Sequence, residues 1–246
     1  MALKKWLTTL KNYLIVLSLL GCLPIHATSK CLGFYHQKVH PFPALISKIH
    51  QFRSNLLETT DVTQLAVNGI AYKVIGKLGG DRERVKVYLC KAPNGKLVQI
   101  KRTQDNNTWP NSIFYEMAVT RYYLEHGLNV PAVIDYSVEY TDVLGSKYMT
   151  STIVKEYFEG PTGSEIFFAD DSFTSAELNH MNQRITKYRQ RVAAIHRGFK
   201  NWLKVNKIDL HKTEFSRLDF LIEGGDIDAH NILYNAILDD GVIFDP

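Results

Sequence analysis

The end of the chain constrains its fold most, because a polar, turn-rich segment is followed by two short apolar runs. Asp226 stands five residues before Asn231. The apolar runs 232–234 and 242–244 come next, around a polar turn, and the carboxylate of Asp245 follows them. Two short apolar runs around such a turn predict a β-hairpin. The hairpin would return Asp245 to Asp226 and Asn231, so two carboxylates and an amide are predicted to meet.

A second pattern lies upstream and consists of strands joined by glycine turns. Residues 71–90 predict two strands around a turn that contains Gly79 and Gly80. Asn94-Gly95 marks another tight turn, after which a third predicted strand ends in Lys101. Because glycine has no Cβ, backbone N–H groups in such a turn can approach a phosphate closely.

Two helical patterns complete the predicted architecture. The first opens at Ile113, shortly after Pro110, and carries Glu116. The second is a one-sided apolar stripe at alternating spacings of three and four, which predicts a long buried helix. Its members are Leu178, Met181, Ile185, Tyr188, Val192, Ile195, Phe199 and Trp202.

In this order the elements resemble the protein kinase family. Val98-Gln99-Ile100-Lys101 is similar to the V-A-I-K motif of that family, and the spacing of Asp226 and Asn231 is similar to that in its catalytic loop. The segment 153–160 resembles the hinge between the kinase lobes. The resemblance covers roughly Tyr72 to Pro246. It implies an α+β, two-lobed fold with a β-rich N-lobe and a reduced helical C-lobe.

The resemblance implies a catalytic base and a metal site near the end of the chain. Asp226 would accept the proton of the attacking hydroxyl. Asn231 and Asp245 would hold Mg²⁺ on the phosphates of ATP. The implied reaction is transfer of the γ-phosphoryl group of ATP to a hydroxyl.

The remaining implied roles concern nucleotide binding. Lys101 would contact the α- and β-phosphates, and Glu116 would orient the lysine. The glycine turn formed by residues 79 and 80 would cover the phosphates. Backbone groups of Glu156 and Phe158 would bind adenine at the hinge. ATP and Mg²⁺ are therefore the expected cofactors.

The chain also departs from the family pattern. Gly224 and Gly225 precede Asp226 where a histidine or tyrosine usually lies two residues before the base. Asp228 stands where protein kinases have lysine and aminoglycoside kinases often have histidine. Gln99 replaces the small residue that normally faces adenine. These departures leave open how the charge on the γ-phosphate is neutralised.

The sequence stops after Asp245-Pro246, without the segments that follow the metal-binding aspartate in larger kinases. Either it is a fragment of a larger kinase or it is a minimal kinase. A minimal kinase of this kind is similar to the HopBF-type effector kinases of bacterial pathogens, which phosphorylate the host chaperone heat-shock protein 90. We therefore expect a serine/threonine protein kinase acting as an effector on a host protein. Two alternatives are a small-molecule kinase of the aminoglycoside type and a non-catalytic pseudokinase that binds a partner.

The chain is expected to have three regions, namely 1–27, 28–65 and 66–246. The first has basic residues before an apolar core at 13–23, which predicts a secretory signal and a secreted protein. Lipidation of Cys22 is the alternative that would attach the protein to a membrane. The second holds a linker and an amphipathic helix, expected to brace the sheet or to recognise a partner. The third is the kinase-like domain, divided near residue 155.

Composition limits the choice of partners. Of the 246 residues 45% are hydrophobic and 22% are charged, as in a globular protein. The net charge of +4 is small, and no basic stripe is interleaved with aromatic residues. The sequence therefore gives no reason to expect nucleic-acid binding. We expect a monomer.

Overall fold

The computed structural model describes residues 42–82, 85–105, 113–143, 146–169, 171–210 and 219–245. The chain divides into the units Met1–Pro43 and Ala44–Pro246. All elements described below belong to the second unit. The predicted signal segment 1–27, including Cys22, lies outside the described residues. No described helix is both long and apolar enough to cross a membrane.

The described chain is an α+β protein, as the sequence predicts. One part is a sheet with the strand order β1-β2-β3-β4-β6-β5, in which every neighbouring pair is antiparallel. Apolar side chains on one face of this sheet form a buried cluster around Tyr72, Tyr88 and Ile100. The strands are β1 (Gln64–Val67), β2 (Ile70–Arg82), β3 (Val85–Lys91), β4 (Leu97–Asp105), β5 (Val133–Val143) and β6 (Ser146–Glu156).

The other part is mainly helical and includes a separate hairpin. The hairpin strands are β7 (Ile232–Asn235) and β8 (Asp240–Ile243), preceded by a 3₁₀ turn over Ala229–Asn231. The helices are α1 (Leu45–Leu56), α2 (Ile113–Glu125), α3 (Gly163–Phe167), α4 (Ser175–His196), α5 (Phe199–Val205) and α6 (Asp219–Gly224).

The predicted hairpin is present, with Ile232 opposite Ile243 and Asn235 opposite Asp240. The turn lies at residues 236–239, earlier than the polar sequence predicts, and Asp239 takes a φ of 48° there. The side chain of Asn235 accepts a hydrogen bond from the backbone N–H of Leu238. Asparagine and aspartate stabilise turns in this way, which explains why the turn forms there.

The residues of the predicted apolar stripe lie in two helices, the long helix α4 and the short helix α5. Met181, Ile185, Tyr188 and Val192 are buried in α4, whose first turn is capped by Thr174. The helix ends at His196. The hydroxyl of Tyr122 donates a 2.6 Å hydrogen bond to the carbonyl oxygen of Ile195, beside the break before α5. The apolar spacing continues across this break, so periodicity alone did not reveal it.

The glycine turn differs from its prediction. Gly79 and Gly80 lie within strand β2, which continues to Arg82. Register shifts occur on both sides of Gly79, which has a φ of +152°. Such bulges bend a strand without ending it. The glycines are therefore part of a distorted strand and not of the turn itself.

The predicted amphipathic helix is α1, with Leu45 and Ile49 buried. Its side chains form ion pairs with the helical part. The sequence instead predicted that this helix packs against the sheet. Lys48 pairs with Glu177 of α4 at 2.8 Å, and Arg53 lies 2.7 Å from a carboxylate oxygen of α3. The chain just after α1 does reach the sheet, where Glu58 pairs with β2. Residues 44–65 of this region thus contact both parts, whereas residues 28–41 lie outside the described residues.

Candidate functional site

Lys101 lies near the centre of the sheet part, in strand β4. Its neighbours across the ladders are Val87 in β3 and Ile153 in β6. Only 7% of the residue is exposed. The ammonium group lies 3.2 Å from a carboxylate oxygen of Glu116 and 2.5 Å from one of Asp245. The expected pairing of Lys101 with Glu116 is therefore present.

Glu116 reaches Lys101 from helix α2. Residues Ile113 to Thr120 of this helix are all buried, and the helix contacts α4 and α5. The first two turns of the helix are covered all round, so the carboxylate of Glu116 needs partners inside the protein. Glu116 receives two, because one oxygen accepts from Lys101 and the other from Lys155.

Lys155 is a functional candidate that sequence reasoning missed. It lies in β6 beside the hinge-like segment and is only 1% exposed. Its ammonium group donates to Glu116 and, at 2.5 Å, to the carbonyl oxygen of Phe244. The sequence holds one signal for it, a lysine after the apolar pair Ile153-Val154 in a strand. Lysine is rarely buried without a partner, so its neighbours there had to include an acid.

Charge balance explains why these groups ionise inside the protein. Burial would raise the pKa of Glu116, but Lys101 and Lys155 outweigh it and hold that pKa well below its usual range. Burial would lower the pKa of Lys101, but Asp245 and then Glu116 outweigh it and hold that pKa above its usual range. We call Lys101, Glu116, Lys155 and Asp245 the ionic array. Its two cations and two anions balance.

Asp226 and Asn231 lie on the segment that enters the hairpin. Helix α6 ends just before it, where Gly225 has a φ of +67° and donates a 2.9 Å hydrogen bond to Leu221. A glycine in this conformation commonly terminates helices. Asp226 follows half-buried, and the side-chain amide of Asn231 donates to its carbonyl oxygen at 3.1 Å.

A continuous set of contacts connects this segment to the ionic array. The backbone N–H of Phe244 donates a 3.0 Å hydrogen bond to the carbonyl oxygen of Asn231, which brings Asp245 beside Asn231. Burial raises the pKa of Tyr115, and the carboxylates of Asp226, Asp245 and Glu116 raise it further. Tyr115 thus lies within electrostatic reach of all three predicted acids. Backbone contacts therefore connect Asp226 and Asn231 to the residues that carry the ionic array.

Asp228 has its own partners. Its carboxylate lies 3.3 Å from the guanidinium of Arg189, which also donates a 2.8 Å hydrogen bond to the carbonyl oxygen of Ile227. Asp228 and His230 are exposed, and their side-chain ligand atoms lie within 4.8 Å of each other and of Asp226. Two residues after Asp226, where the kinases that the sequence resembles often have a cation, this chain has an anion paired with Arg189.

The hinge-like segment is fixed at both ends. The backbone N–H of Glu156 donates to Ala132 at 3.0 Å. At the other end Gly160 packs so closely on β7 that an added Cβ would lie 1.9 Å from the carbonyl oxygen of Tyr234. Phe158 lies between them and is half-buried, while Gln99 is buried opposite Lys155. The segment joins the sheet to the hairpin, as a hinge strand between two parts would.

The arrangement offers oxygen ligands, a fixed ammonium group and a half-buried carboxylate in one region. The amide nitrogen of Asn231 is engaged with Asp226, so its amide oxygen is the atom that it can offer a cation. The side chain of Asp245 is 37% exposed and remains accessible to a ligand. Hard oxygen donors of this kind suit Mg²⁺. Asp226, close by, is suited to proton transfer.

Comparisons with known proteins do not identify the chain. No family model matches it. No curated protein matches it either.

Proposed function

We propose that this protein is an ATP-dependent phosphotransferase with a two-lobed protein kinase-like fold. The observation that carries the proposal is the position of the Lys101 ammonium group. It lies 3.2 Å from Glu116 of α2 and 2.5 Å from Asp245 after β8. Asp245 lies 144 positions from Lys101 in the sequence, and the kinase resemblance requires these three residues to meet in this way.

Mg²⁺ and the phosphates of ATP would be bound between the ionic array and the hairpin. Asp245 and Asn231 would hold the metal through their oxygen atoms. The metal, when bound, neutralises charge on the phosphates. Lys101 would exchange its bond to Asp245 for the α- and β-phosphates and would remain oriented by Glu116. Its high pKa keeps it charged at neutral pH.

Asp226 would be the general base. Its position is set by Gly225 before it and by the hydrogen bond from Asn231 to its carbonyl oxygen. The carboxylate is half-buried and therefore open to an acceptor hydroxyl. It would orient that hydroxyl and take its proton as the bond to phosphorus forms. Such a base contributes typically about 10²–10⁴-fold in rate.

The acceptor that we propose is a serine or threonine hydroxyl of a protein, in keeping with a secreted kinase that acts on a host protein. Phe167 and Phe168 support a polypeptide acceptor. They are 75% and 80% exposed and stack edge to face with ring centroids 5.1 Å apart. They end helix α3, which packs through Gly163 against Ala229 beside the proposed base. Exposed aromatic pairs are common at protein-binding surfaces.

A second candidate function is partner binding without catalysis. The observation that favours it is Asp228, whose carboxylate lies near Asp226 without a lysine or histidine in that position. Two carboxylates beside the γ-phosphate would repel it. The guanidinium of Arg189 offsets one of them at 3.3 Å, which is why we place phosphoryl transfer first.

Incubation of the full chain with γ-labelled ATP, Mg²⁺ and a eukaryotic lysate distinguishes the candidates. Transfer of label to protein is expected for the proposed kinase. Label found only in the small-molecule fraction would contradict a protein acceptor and favour the aminoglycoside-type alternative. Absence of transfer to any acceptor would contradict catalysis and favour the binding function.

A further inference from the structure

Lys155 is the most deeply buried charge in the described ionic array, at 1% exposure. It joins three elements that are distant in sequence. Its own strand is β6, its donor bond to Glu116 reaches helix α2, and its 2.5 Å bond to the carbonyl oxygen of Phe244 reaches the residue before Asp245. Burying an ammonium group is costly unless it is paired and hydrogen-bonded. A lysine in this position therefore needs both partners.

We propose that Lys155 is a positioning residue that holds Glu116 and Asp245 in place for nucleotide binding and phosphoryl transfer. The inference rests on the proposed function for its catalytic consequence, whereas its structural consequence is measured independently. Lys155 itself touches neither the proposed nucleotide phosphates nor the acceptor. It acts through Glu116, which orients Lys101, and through the backbone that carries Asp245.

The first part of this role is charge compensation. Glu116 shares its two oxygens between Lys101 and Lys155. Once Lys101 turns toward bound phosphates, Lys155 keeps the buried carboxylate paired. Glu116 therefore has a cation in both the free and the nucleotide-bound protein. Removal of one partner from a buried ion pair is strongly destabilising, because an uncompensated charge remains.

The second part is backbone placement. The bond to the carbonyl oxygen of Phe244 fixes the peptide that leads into Asp245, whereas the N–H of Phe244 bonds to Asn231. Asp245 has a half-exposed side chain and needs such support to present its oxygen to a metal in one orientation. Groups that orient metal ligands typically change metal affinity or activity by about 10–100-fold when they are removed.

Lys155→Met tests the proposal, because methionine keeps the length of the chain without its charge. Charge compensation predicts that its unfolding midpoint falls by about 10 °C relative to wild type. Adding Glu116→Gln to this variant removes the excess negative charge that the loss of Lys155 leaves in the array, and should restore much of the midpoint. Lys86→Met is the matched control, since Lys86 is an exposed strand lysine.

Turnover separates positioning from stability. The kcat of the double variant should be at least about tenfold below that of Glu116→Gln alone, because Phe244 is no longer held. Equal kcat values in these two variants would contradict the role of the bond to Phe244. The KM for ATP should change less than kcat. Wild-type kcat in the double variant would overturn the positioning role.

The unfolding data can overturn the proposal independently. Lys155→Met as stable as Lys86→Met, or a double variant no more stable than Lys155→Met, would each contradict charge compensation. If wild-type protein transfers no phosphate, the proposed function fails, yet the unfolding comparison still decides whether Glu116 depends on Lys155. Failure of Lys155→Met to fold, with the double variant folded, would be a larger effect in the same direction and would support charge compensation.

Discussion

The ionic array and the Asp226–His230 segment contrast in how their charges are held. Lys101, Glu116 and Lys155 are at most 7% exposed, and each bonds to another member of the array. Asp228 and His230 are exposed on a short segment that follows a helix end. The charges of the ionic array are paired with one another, whereas Asp228 and His230 of the segment are exposed to solvent.

The contrast indicates that the two regions have different roles in the proposed enzyme. A buried array keeps its geometry without a ligand, since leaving any member unpaired is costly. An open edge can accept a second molecule. We therefore assign nucleotide positioning to the array and acceptor binding to the segment. Substitutions in the array should therefore affect folding and nucleotide affinity as well as turnover, whereas substitution of Asp226 should affect turnover alone.

The largest expected effect on turnover is that of Asp226→Asn. The amide keeps the shape of the side chain but cannot take a proton, so phosphoryl transfer should fall by about 10²–10⁴-fold. Single-turnover transfer from labelled ATP measures this, with the unfolding midpoint as a check on folding. Asp228→Asn is the matched control and should retain most of the activity. Equal losses of activity in both variants would contradict the assignment of Asp226, rather than Asp228, as the base.

Lys101→Met should have the next largest effect. It removes the positive charge beside the phosphates and leaves Asp245 without its 2.5 Å partner. Loss of one preorganised electrostatic group typically costs about 10²–10³-fold in rate. Lys73→Met, an exposed lysine of β2, controls for charge alone. Turnover and ATP affinity at wild-type levels in Lys101→Met would exclude the array from nucleotide binding.

Gly225→Ala should have a moderate effect on stability. Its φ of +67° disfavours any side chain, and the added Cβ would lie 3.0 Å from Ile227 and 3.1 Å from His196. The left-handed conformation alone costs roughly 1–2 kcal/mol in unfolding free energy. Gly224→Ala is the control, because nothing lies within 4 Å of its added Cβ. Urea denaturation should give a lower free energy of unfolding for Gly225→Ala than for Gly224→Ala. Equal free energies would contradict the inference that the backbone before Asp226 requires glycine.

The smallest expected effect is a loss of stability in mild acid through His196. Burial lowers the pKa of His196, and bonds to Leu221 and Ile222 only partly oppose this. The unfolded chain then binds more protons, so the contribution is complete above the ordinary pKa of about 6.5 and falls as pH drops below it. The slope is at most about 1.4 kcal/mol per pH unit.

Urea denaturation at pH 7.5 and 5.5 would measure this acid sensitivity in wild type and in His196→Gln. The variant should lose part of the pH dependence. His50→Gln, at an exposed histidine of α1, should keep it. Identical pH dependence in wild type and His196→Gln would show that the buried histidine does not contribute.

The elements that could be predicted from the sequence are those marked by a pattern of neighbouring residues. The hairpin followed from two apolar runs around a turn, and α4 followed from the spacing of Met181, Ile185, Tyr188 and Val192. The pairing of Lys101 with Glu116 was also expected, although that expectation came from family resemblance. The α+β class followed from the same elements. Roles for these residues stay predictions.

Features that depend on tertiary contacts could not be predicted. Lys155 lies 39 positions from Glu116, and no periodicity links them. The end of α4 is marked by a hydroxyl from Tyr122, 73 positions away. Glycine is a residue type that favours turns, yet strand β2 continues past Gly79 through β-bulges. In the first two cases a partner distant in sequence decides the local structure, and in the third the pairing with the next strand does.

The central claim is that the ionic array and Asn231 form a site for ATP with Mg²⁺, and calorimetric titration of ATP with and without Mg²⁺ tests it most directly. Wild-type protein should bind ATP at least about tenfold more tightly with Mg²⁺, equivalent to about 1.4 kcal/mol. Asp245→Asn should lose this enhancement, whereas Asp61→Asn, at an exposed carboxylate, should keep it. An equal enhancement in wild type and Asp245→Asn would contradict the account, as would a wild-type affinity that does not respond to Mg²⁺.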